Sequence, residues 1–144
     1  MIVSMLFGQA AKLSERSMRK ILVVEDDPAI QQSMCDVLEI GGFTPEGAKD
    51  GAEALSMILQ ARKLGRLYDL VITDISMPVM NGLDLIRWLL EKGFQLPVLV
   101  VTGYGDKEML LALREMGFHD CLDKPFEPEE LRLKVQGIFS KLPA

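Results

Sequence analysis

The sequence predicts an α/β fold built on a doubly wound, five-stranded parallel sheet. From residue 20 onward, short β-branched apolar runs alternate with longer segments of helical periodicity. The three strongest runs, ILVV, LVIT and VLVV, are continuously apolar, which is typical of parallel strands buried on both faces. With 144 residues, 49% of them hydrophobic and 26% charged, the chain is long enough for one domain with a sizeable core.

Five strands are predicted, and helices with clear start signals separate them. Asp27 before Pro28 places a good N-cap ahead of a proline at the first helical position. Asp50, Asn81 and Asp106 open the next three helices in the same manner. The predicted strands cover residues 21–24, 43–49, 70–73, 98–101 and 118–123. The predicted helices cover residues 28–40, 51–64, 81–92, 106–116 and 128–142.

Residues 1–18 are expected to form a flexible N-terminal extension of a domain at residues 19–144. The extension starts with a mainly apolar segment, MIVSMLFG, but lacks the basic region of a signal peptide. No apolar run approaches the roughly 20 residues that span a bilayer.

The net charge of −5 argues against direct binding of nucleic acid or anionic membranes. Two cysteines without metal-ligand spacing favour a reducing cytoplasm.

Polar side chains follow four of the five predicted strands. Glu25 and Asp26 come after the first strand and Asp74 after the third. Thr102 ends the fourth strand and Lys124 the fifth. In open parallel sheets, ligands bind outside the carboxyl ends of the strands where the strand order reverses. In the order 2-1-3-4-5 the first and third strands are neighbours, so the three carboxylates are expected to converge on one pocket.

Such a cluster of carboxylates calls for a cation. Two unit charges about 4 Å apart repel by about 4 kcal/mol at an effective dielectric constant of 20. A hard divalent cation relieves this repulsion, and Mg²⁺ commonly keeps several waters beside one or two carboxylates. A carboxylate beside a metal, an ammonium and a hydroxyl is equipped for in-line phosphoryl transfer with the aspartate as nucleophile. The pattern therefore predicts Mg²⁺-assisted phosphoryl chemistry at this edge of the sheet.

Four motifs, ILVVEDDP, DLVITDISMPVMNGLDLI, PVLVVTGYGD and DKPF, follow one another from residue 21 to residue 126. In this order and spacing they resemble the receiver domain of response regulators, the phosphoacceptor half of bacterial two-component signalling. The resemblance covers residues 19–142 and implies a flavodoxin-like fold. It implies a stand-alone phosphorylated switch rather than an enzyme. The implied partners are a histidine kinase or histidine phosphotransfer protein and a downstream protein target.

The resemblance also assigns a role to each polar position. Asp74 is implied to be the phosphorylated residue, with Thr102 and Lys124 in contact with the phosphoryl group. Lys124–Pro125 resembles the cis peptide bond of the family. The implied Mg²⁺ ligands are Asp26, Asp74, the backbone carbonyl of Ser76 and, usually through water, Glu25. For Asp27, the role of helix N-cap is at least as well supported as a metal role.

At one position the sequence departs from the family pattern. Three residues before Lys124, where the family usually has Tyr or Phe, this chain has Cys121. In the family that aromatic ring rotates behind the threonine and signals to the face made by the fourth helix, fifth strand and fifth helix. We expect no aromatic switch at Cys121, so either Thr102 couples to this face in another way or the coupling is weak. The fourth and fifth helices are also a candidate surface for a homodimer.

Three further positions carry expectations of their own. Ser76 and Tyr104 occupy positions that tune the phosphoryl lifetime in this family. The bulky Tyr104 is expected to shield the phosphoryl group from water and so lengthen the signal. Gly82 is expected to supply backbone freedom where the third helix begins, because glycine tolerates a positive φ.

Two other functions remain open from the residues alone. An aspartate-nucleophile phosphohydrolase on a similar sheet would usually have a second acid two residues after the nucleophile, where Ser76 stands here. An interaction module that works without phosphorylation could retain the same fold. The complete set of polar residues at the strand ends argues against it, while Cys121 leaves it some support.

Overall fold

The structure, a computed structural model, describes residues 19–142. The predicted extension at residues 1–18 lies outside this part of the chain, so its boundary stays a prediction. Strands and helices alternate throughout. The strands are β1 (Lys20–Val24), β2 (Thr44–Ala48), β3 (Leu70–Asp74), β4 (Val98–Thr102) and β5 (Cys121–Asp123). The helices are α1 (Pro28–Ile40), α2 (Gly51–Lys63), α3 (Gly82–Glu91), α4 (Lys107–Glu115) and α5 (Pro128–Lys141).

All five strands are parallel and lie in the order β2-β1-β3-β4-β5, which confirms the predicted fold class. The register pairs Val24 of β1 with Thr73 of β3. The residues that follow this pair are Glu25 and Asp74, and the strand order therefore places their backbones side by side. Among residues 19–142, no helix is long and apolar enough to cross a bilayer.

The sheet carries a hydrophobic core on each face, and this explains its continuously apolar strands. Because successive side chains of a strand point to opposite faces, each β1 residue joins a different core from its neighbour. Ile21 and Val23 pack with residues of α1 and α5. Leu22 and Val24 pack with residues of α2 and α3. All four side chains are at most 1% exposed.

Three of the four predicted aspartate or asparagine N-caps form their capping hydrogen bonds. The side chain of Asp27 accepts from the N–H groups of Ala29 and Ile30. The side chains of Asp50 and Asn81 cap α2 and α3 in the same way. At the start of α4 the expectation is wrong in its detail. Asp106 precedes the helix, but its carboxylate accepts from the N–H of Gly103 instead of capping the first turn.

The fifth strand is shorter than the sequence predicts, because β5 begins at Cys121 rather than at residue 118. Phe118 lies just after the C-terminal end of α4. Its N–H donates to the carbonyl oxygen of Leu113, and its side chain packs against the core. In the sequence, an apolar residue that packs into the core after a helix looks the same as the first residue of a buried strand, so the predicted strand began too early.

Gly82 is required for close packing, so the expectation of a positive φ is wrong. The glycines with positive φ in the described chain are at other positions. A Cβ atom on Gly82 would lie 2.6 Å from the carbonyl oxygen of Asp74 and 3.0 Å from the Cα of Ile75. The N–H of Gly82 also donates to the carbonyl oxygen of Ile75 at 3.0 Å. The first residue of α3 is therefore pressed against the backbone at the end of β3.

We expect Gly82→Ala to destabilise the protein, because the added methyl must displace backbone atoms. Overpacking of this kind typically costs about 1–3 kcal/mol. Gly137→Ala in α5 is the matched control, since no heavy atom lies within 4 Å of a Cβ built there. Replacing a glycine inside a helix by alanine should raise stability by about 0.5–1 kcal/mol. Urea unfolding measures both, and equal effects of the two substitutions would contradict this account.

Candidate functional site

Three carboxylates lie together at the carboxyl ends of β1 and β3. One oxygen from each of Glu25, Asp26 and Asp74 lies within 4.8 Å of the others. Glu25 is 3% exposed and Asp74 is 6% exposed, whereas Asp26 faces solvent. The cluster is thus a pocket with a buried floor and one open side.

Lys124 compensates part of this negative charge. It follows β5, and its Nζ lies 2.6 Å from Oδ2 of Asp74 and 3.6 Å from Oε1 of Glu25. Burial by itself lowers the pKa of Lys124, but the hydrogen bond to Asp74 and the charges of both carboxylates outweigh burial and raise this pKa. The ammonium therefore stays protonated. The Lys124–Pro125 peptide bond is cis.

Glu25 is the carboxyl group whose ionisation the pocket opposes. Burial raises its pKa first, and a hydrogen bond to Asp74 and the negative charge of Asp74 raise it further. Lys124 acts in the opposite direction, and Asp26 adds a smaller upward effect. The pKa of Glu25 reaches about 7. A cation bound beside Glu25 would stabilise the ionised form of this carboxyl group and so lower its pKa.

A backbone N–H contacts the other oxygen of Asp74, and a side chain of α1 contacts the carbonyl of Glu25. Oδ1 of Asp74 accepts from the backbone N–H of Ser76 at 3.2 Å. Nε2 of Gln31 in α1 donates to the carbonyl oxygens of Glu25 at 3.1 Å and Ala48 at 2.8 Å. Gly47 leaves room for this amide, because a Cβ there would lie 2.2 Å from Oε1 of Gln31. Sequence reasoning missed Gln31, since no local pattern marks a side chain that bonds to distant backbone.

Thr102 lies at the end of β4, but its hydroxyl is turned toward β5. Oγ1 of Thr102 donates to Oδ1 of Asp123 at 2.8 Å. Thr102 is 4% exposed, and Asp123 stands opposite it in the parallel register. Asp123 was also missed from the sequence. Its place directly before Lys124, on the strand that neighbours Thr102, is the signal that could have identified it.

Tyr104 lies in the segment after β4, and Cys121 begins β5. The Tyr104 side chain is fully exposed, and its shielding role stays a prediction. Cys121 is half-buried on β5, where it pairs with Val100 of β4. Their proposed effects on lifetime and switching rest on their positions in the sequence.

The donor set of the pocket fits a divalent cation. Carboxylate oxygens are the ligands that Mg²⁺ and Ca²⁺ prefer, and three of them converge here. The exposed side at Asp26 gives access from solvent and leaves room for the waters that Mg²⁺ retains.

Comparison with known proteins identifies the family of this chain. The family model "Response regulator receiver domain" matches residues 21–136. The chain belongs to the response-regulator receiver family. It is 37% identical over 122 residues to the response regulator MprA of Mycobacterium ulcerans, covering 85% of this chain and 50% of that protein. It is 36% identical over 125 residues to the CpxR homolog, a transcriptional regulatory protein of Haemophilus influenzae, covering 86% and 52%.

A solved receiver structure shares the fold over nearly its whole length. The chemotaxis response regulator CheY4 of Vibrio cholerae superposes with a TM-score of 0.73 at 32% identity, covering 84% of this chain and 98% of that chain. The chain spans about half the length of the curated relatives that it matches. Membership in the receiver family places this protein in two-component signalling.

The raised pKa of Glu25 makes the stability of this receiver depend on pH. The folded protein holds the proton more tightly than the unfolded chain, whose glutamate has a pKa of 4.5. The resulting stabilisation is complete below pH 4.5 and is lost as the pH rises through about 7. We expect the metal-free wild type to lose stability relative to Glu25→Gln across this range. Urea midpoints of both proteins measure it, and a constant difference between them would contradict the assignment.

Proposed function

We propose that this receiver accepts a phosphoryl group on Asp74 from a histidine kinase or a histidine phosphotransfer protein. The observation that supports this most strongly is the environment of Asp74. A nearly buried carboxylate at a strand end contacts the Lys124 ammonium at 2.6 Å and lies within 4.8 Å of oxygens from two further carboxylates. This combination supplies a nucleophile, a positive charge and a cation site at one point.

In the proposed step, an oxygen of Asp74 forms a bond to phosphorus while the bond from phosphorus to the donor's histidine nitrogen breaks. The imidazole leaves with the bonding electron pair and takes up a proton. Lys124 already contacts the attacking carboxylate. In the proposed step its ammonium then contacts the phosphoryl oxygens and stabilises their negative charge. Thr102 is the proposed hydroxyl donor to the same group.

Asp26, Asp74 and the backbone carbonyl of Ser76 are the proposed Mg²⁺ ligands, with Glu25 assisting through water. Bound there, Mg²⁺ would neutralise charge on the transferring phosphoryl group. Asp26 and Glu25 can serve this purpose because their oxygens lie within 4.8 Å of the nucleophile's carboxylate.

The proposed output is a change on the face formed by α4, β5 and α5, read by a downstream protein. Thr102 lies beside β5 and thus links the pocket to this face. The same face is the proposed surface for a homodimer. The net charge of −5 supports a protein rather than a nucleic acid as the direct target of this chain. The free thiols of Cys35 and Cys121 support a reducing compartment such as the cytoplasm.

We expect the protein to gain one phosphoryl group from acetyl phosphate in the presence of Mg²⁺, and to gain none without it. Asp74→Asn should abolish the gain, and Asp26→Asn should reduce it strongly because a direct metal ligand is lost. Asp84→Asn is the matched control, since Asp84 is an exposed aspartate in the first turn of α3. Intact-mass spectrometry after timed incubation measures all four proteins.

Two outcomes would contradict the phosphoacceptor proposal. Phosphoryl uptake that persists in Asp74→Asn would assign the chemistry to another residue. A wild-type protein that neither takes up the phosphoryl group nor binds Mg²⁺ in a calorimetric titration would instead indicate an interaction module that works without phosphorylation.

The proposed shielding role of Tyr104 predicts the lifetime of the phosphorylated state. The ring is fully exposed, and Tyr104 lines a cavity together with Lys124 of the carboxylate pocket. We expect Tyr104→Ala to lose its phosphoryl group several-fold faster than wild type, because water reaches the phosphorus more easily. Tyr104→Phe keeps the ring and should keep the lifetime. Decay of the phosphorylated mass after removal of acetyl phosphate gives the rates, and equal rates for Tyr104→Ala and wild type would refute the role.

A further inference from the structure

The hydroxyl of Thr102 already has an acceptor in this structure, and that acceptor lies outside the carboxylate pocket. It donates to Oδ1 of Asp123 at 2.8 Å, across the β4–β5 pair. A threonine hydroxyl carries a single proton and can donate only one full hydrogen bond. Donation to Asp123 and donation to a phosphoryl group on Asp74 therefore exclude each other.

The backbone holds Asp123 opposite Thr102. The register pairs the two residues directly, and the N–H of Lys124 donates to the carbonyl oxygen of Thr102 at 2.7 Å. Within residues 19–142, no basic side chain forms an ion pair with Asp123. The Asp123 carboxylate is exposed to solvent, so water rather than a cation competes with the Thr102 hydroxyl for it. Hydrogen bonds to an ionised acceptor are about twice as strong as neutral ones.

A second aspartate fixes the segment that follows Thr102. The N–H of Gly103 donates to Oδ2 of Asp106 at 2.7 Å, in place of the capping bond that Asp106 was expected to make at α4. This contact constrains the backbone but leaves the Thr102 hydroxyl untouched. The two aspartates can therefore be separated by experiment.

We propose that Asp123 is a positioning residue that holds the Thr102 side chain in the unphosphorylated arrangement. On phosphorylation, the Thr102 hydroxyl must give up its hydrogen bond to Asp123 and donate to the phosphoryl group instead. The switch is an exchange of acceptors by one hydroxyl between the carboxylate on β5 and the pocket at β3. It gives this chain a link between Thr102 and β5 that needs no aromatic ring at Cys121. The inference rests on the proposed phosphoacceptor function, because it requires a phosphoryl group within reach of Thr102.

Beryllofluoride with Mg²⁺, a non-covalent mimic of the phosphoryl group, provides the test. We expect Asp123→Ala to bind it about ten-fold more tightly than wild type, since binding no longer has to break a charge-assisted hydrogen bond. Thr102→Val removes the hydroxyl, so adding Asp123→Ala in that background should change the affinity little. Thr102→Ser restores a hydroxyl and should restore the effect of Asp123→Ala. Chemical-shift titration of backbone amides yields the dissociation constants.

Two further measurements separate a positioning role from a structural one. Asp106→Ala is the matched control, and its effect on binding should be the same with Thr102 or Val at residue 102. In the metal-free protein, three-bond couplings to the Thr102 methyl carbon should report one rotamer in wild type and averaging over rotamers in Asp123→Ala. This second readout needs neither metal nor phosphoryl mimic.

The outcomes distinguish failure of this inference from failure of the proposed function. If wild type binds beryllofluoride and Asp123→Ala binds it equally well, the positioning role is overturned while the phosphoacceptor function stands. An equal effect of Asp123→Ala in the Thr102 and Val backgrounds would likewise overturn it, since the hydroxyl would not mediate the effect. If wild type fails to bind the mimic in the presence of Mg²⁺, the proposed function fails, and the acceptor exchange fails with it.

Discussion

The burial of two carboxylates at the ends of neighbouring strands is the constraint on which the rest of this molecule depends. Glu25 and Asp74 are almost inaccessible to solvent, and Asp26 adds a third negative group within 4.8 Å. Like charges at such separations repel by several kcal/mol at the dielectric constant of a protein surface, which is about 20. Lys124 reaches from the end of β5 across β4 to offset this repulsion. Charged groups from the ends of β1, β3 and β5 thus interact within one pocket.

Close backbone packing complements this electrostatic arrangement. Gly82 lets α3 begin directly against the carbonyl of Asp74, and Gly47 lets the Gln31 amide reach the carbonyl of Glu25. The backbone at Asp74 is thus packed against α3, and the backbone at Glu25 is hydrogen-bonded to α1. Preorganised charges of this kind act on a bound group without further rearrangement of the site. The group that changes partner in the proposed switch is the Thr102 hydroxyl, which donates to Asp123 in this structure.

Much of the fold follows from local patterns. The continuous apolar runs at β1, β3 and β4 exist because parallel strands are covered on both faces, and each lies within one residue of its predicted bounds. Two of the expectations that were wrong involve residues whose role is tertiary. Phe118 fills the core after α4 rather than opening β5, and Gly82 is small because of a neighbouring strand rather than because of its own φ. A local pattern does not separate packing against a distant element from local conformation.

Local patterns in the sequence were enough to predict the order of the elements and the residue types that stand at the carboxyl ends of the strands. How those groups are partnered depends on the tertiary fold. The contact of Lys124 with Asp74 spans 50 residues, and that of Thr102 with Asp123 spans 21. Such contacts depend on strand register and on single rotamers, because a hydrogen bond tolerates only a few tenths of an ångström and no periodicity along the chain specifies distances that finely.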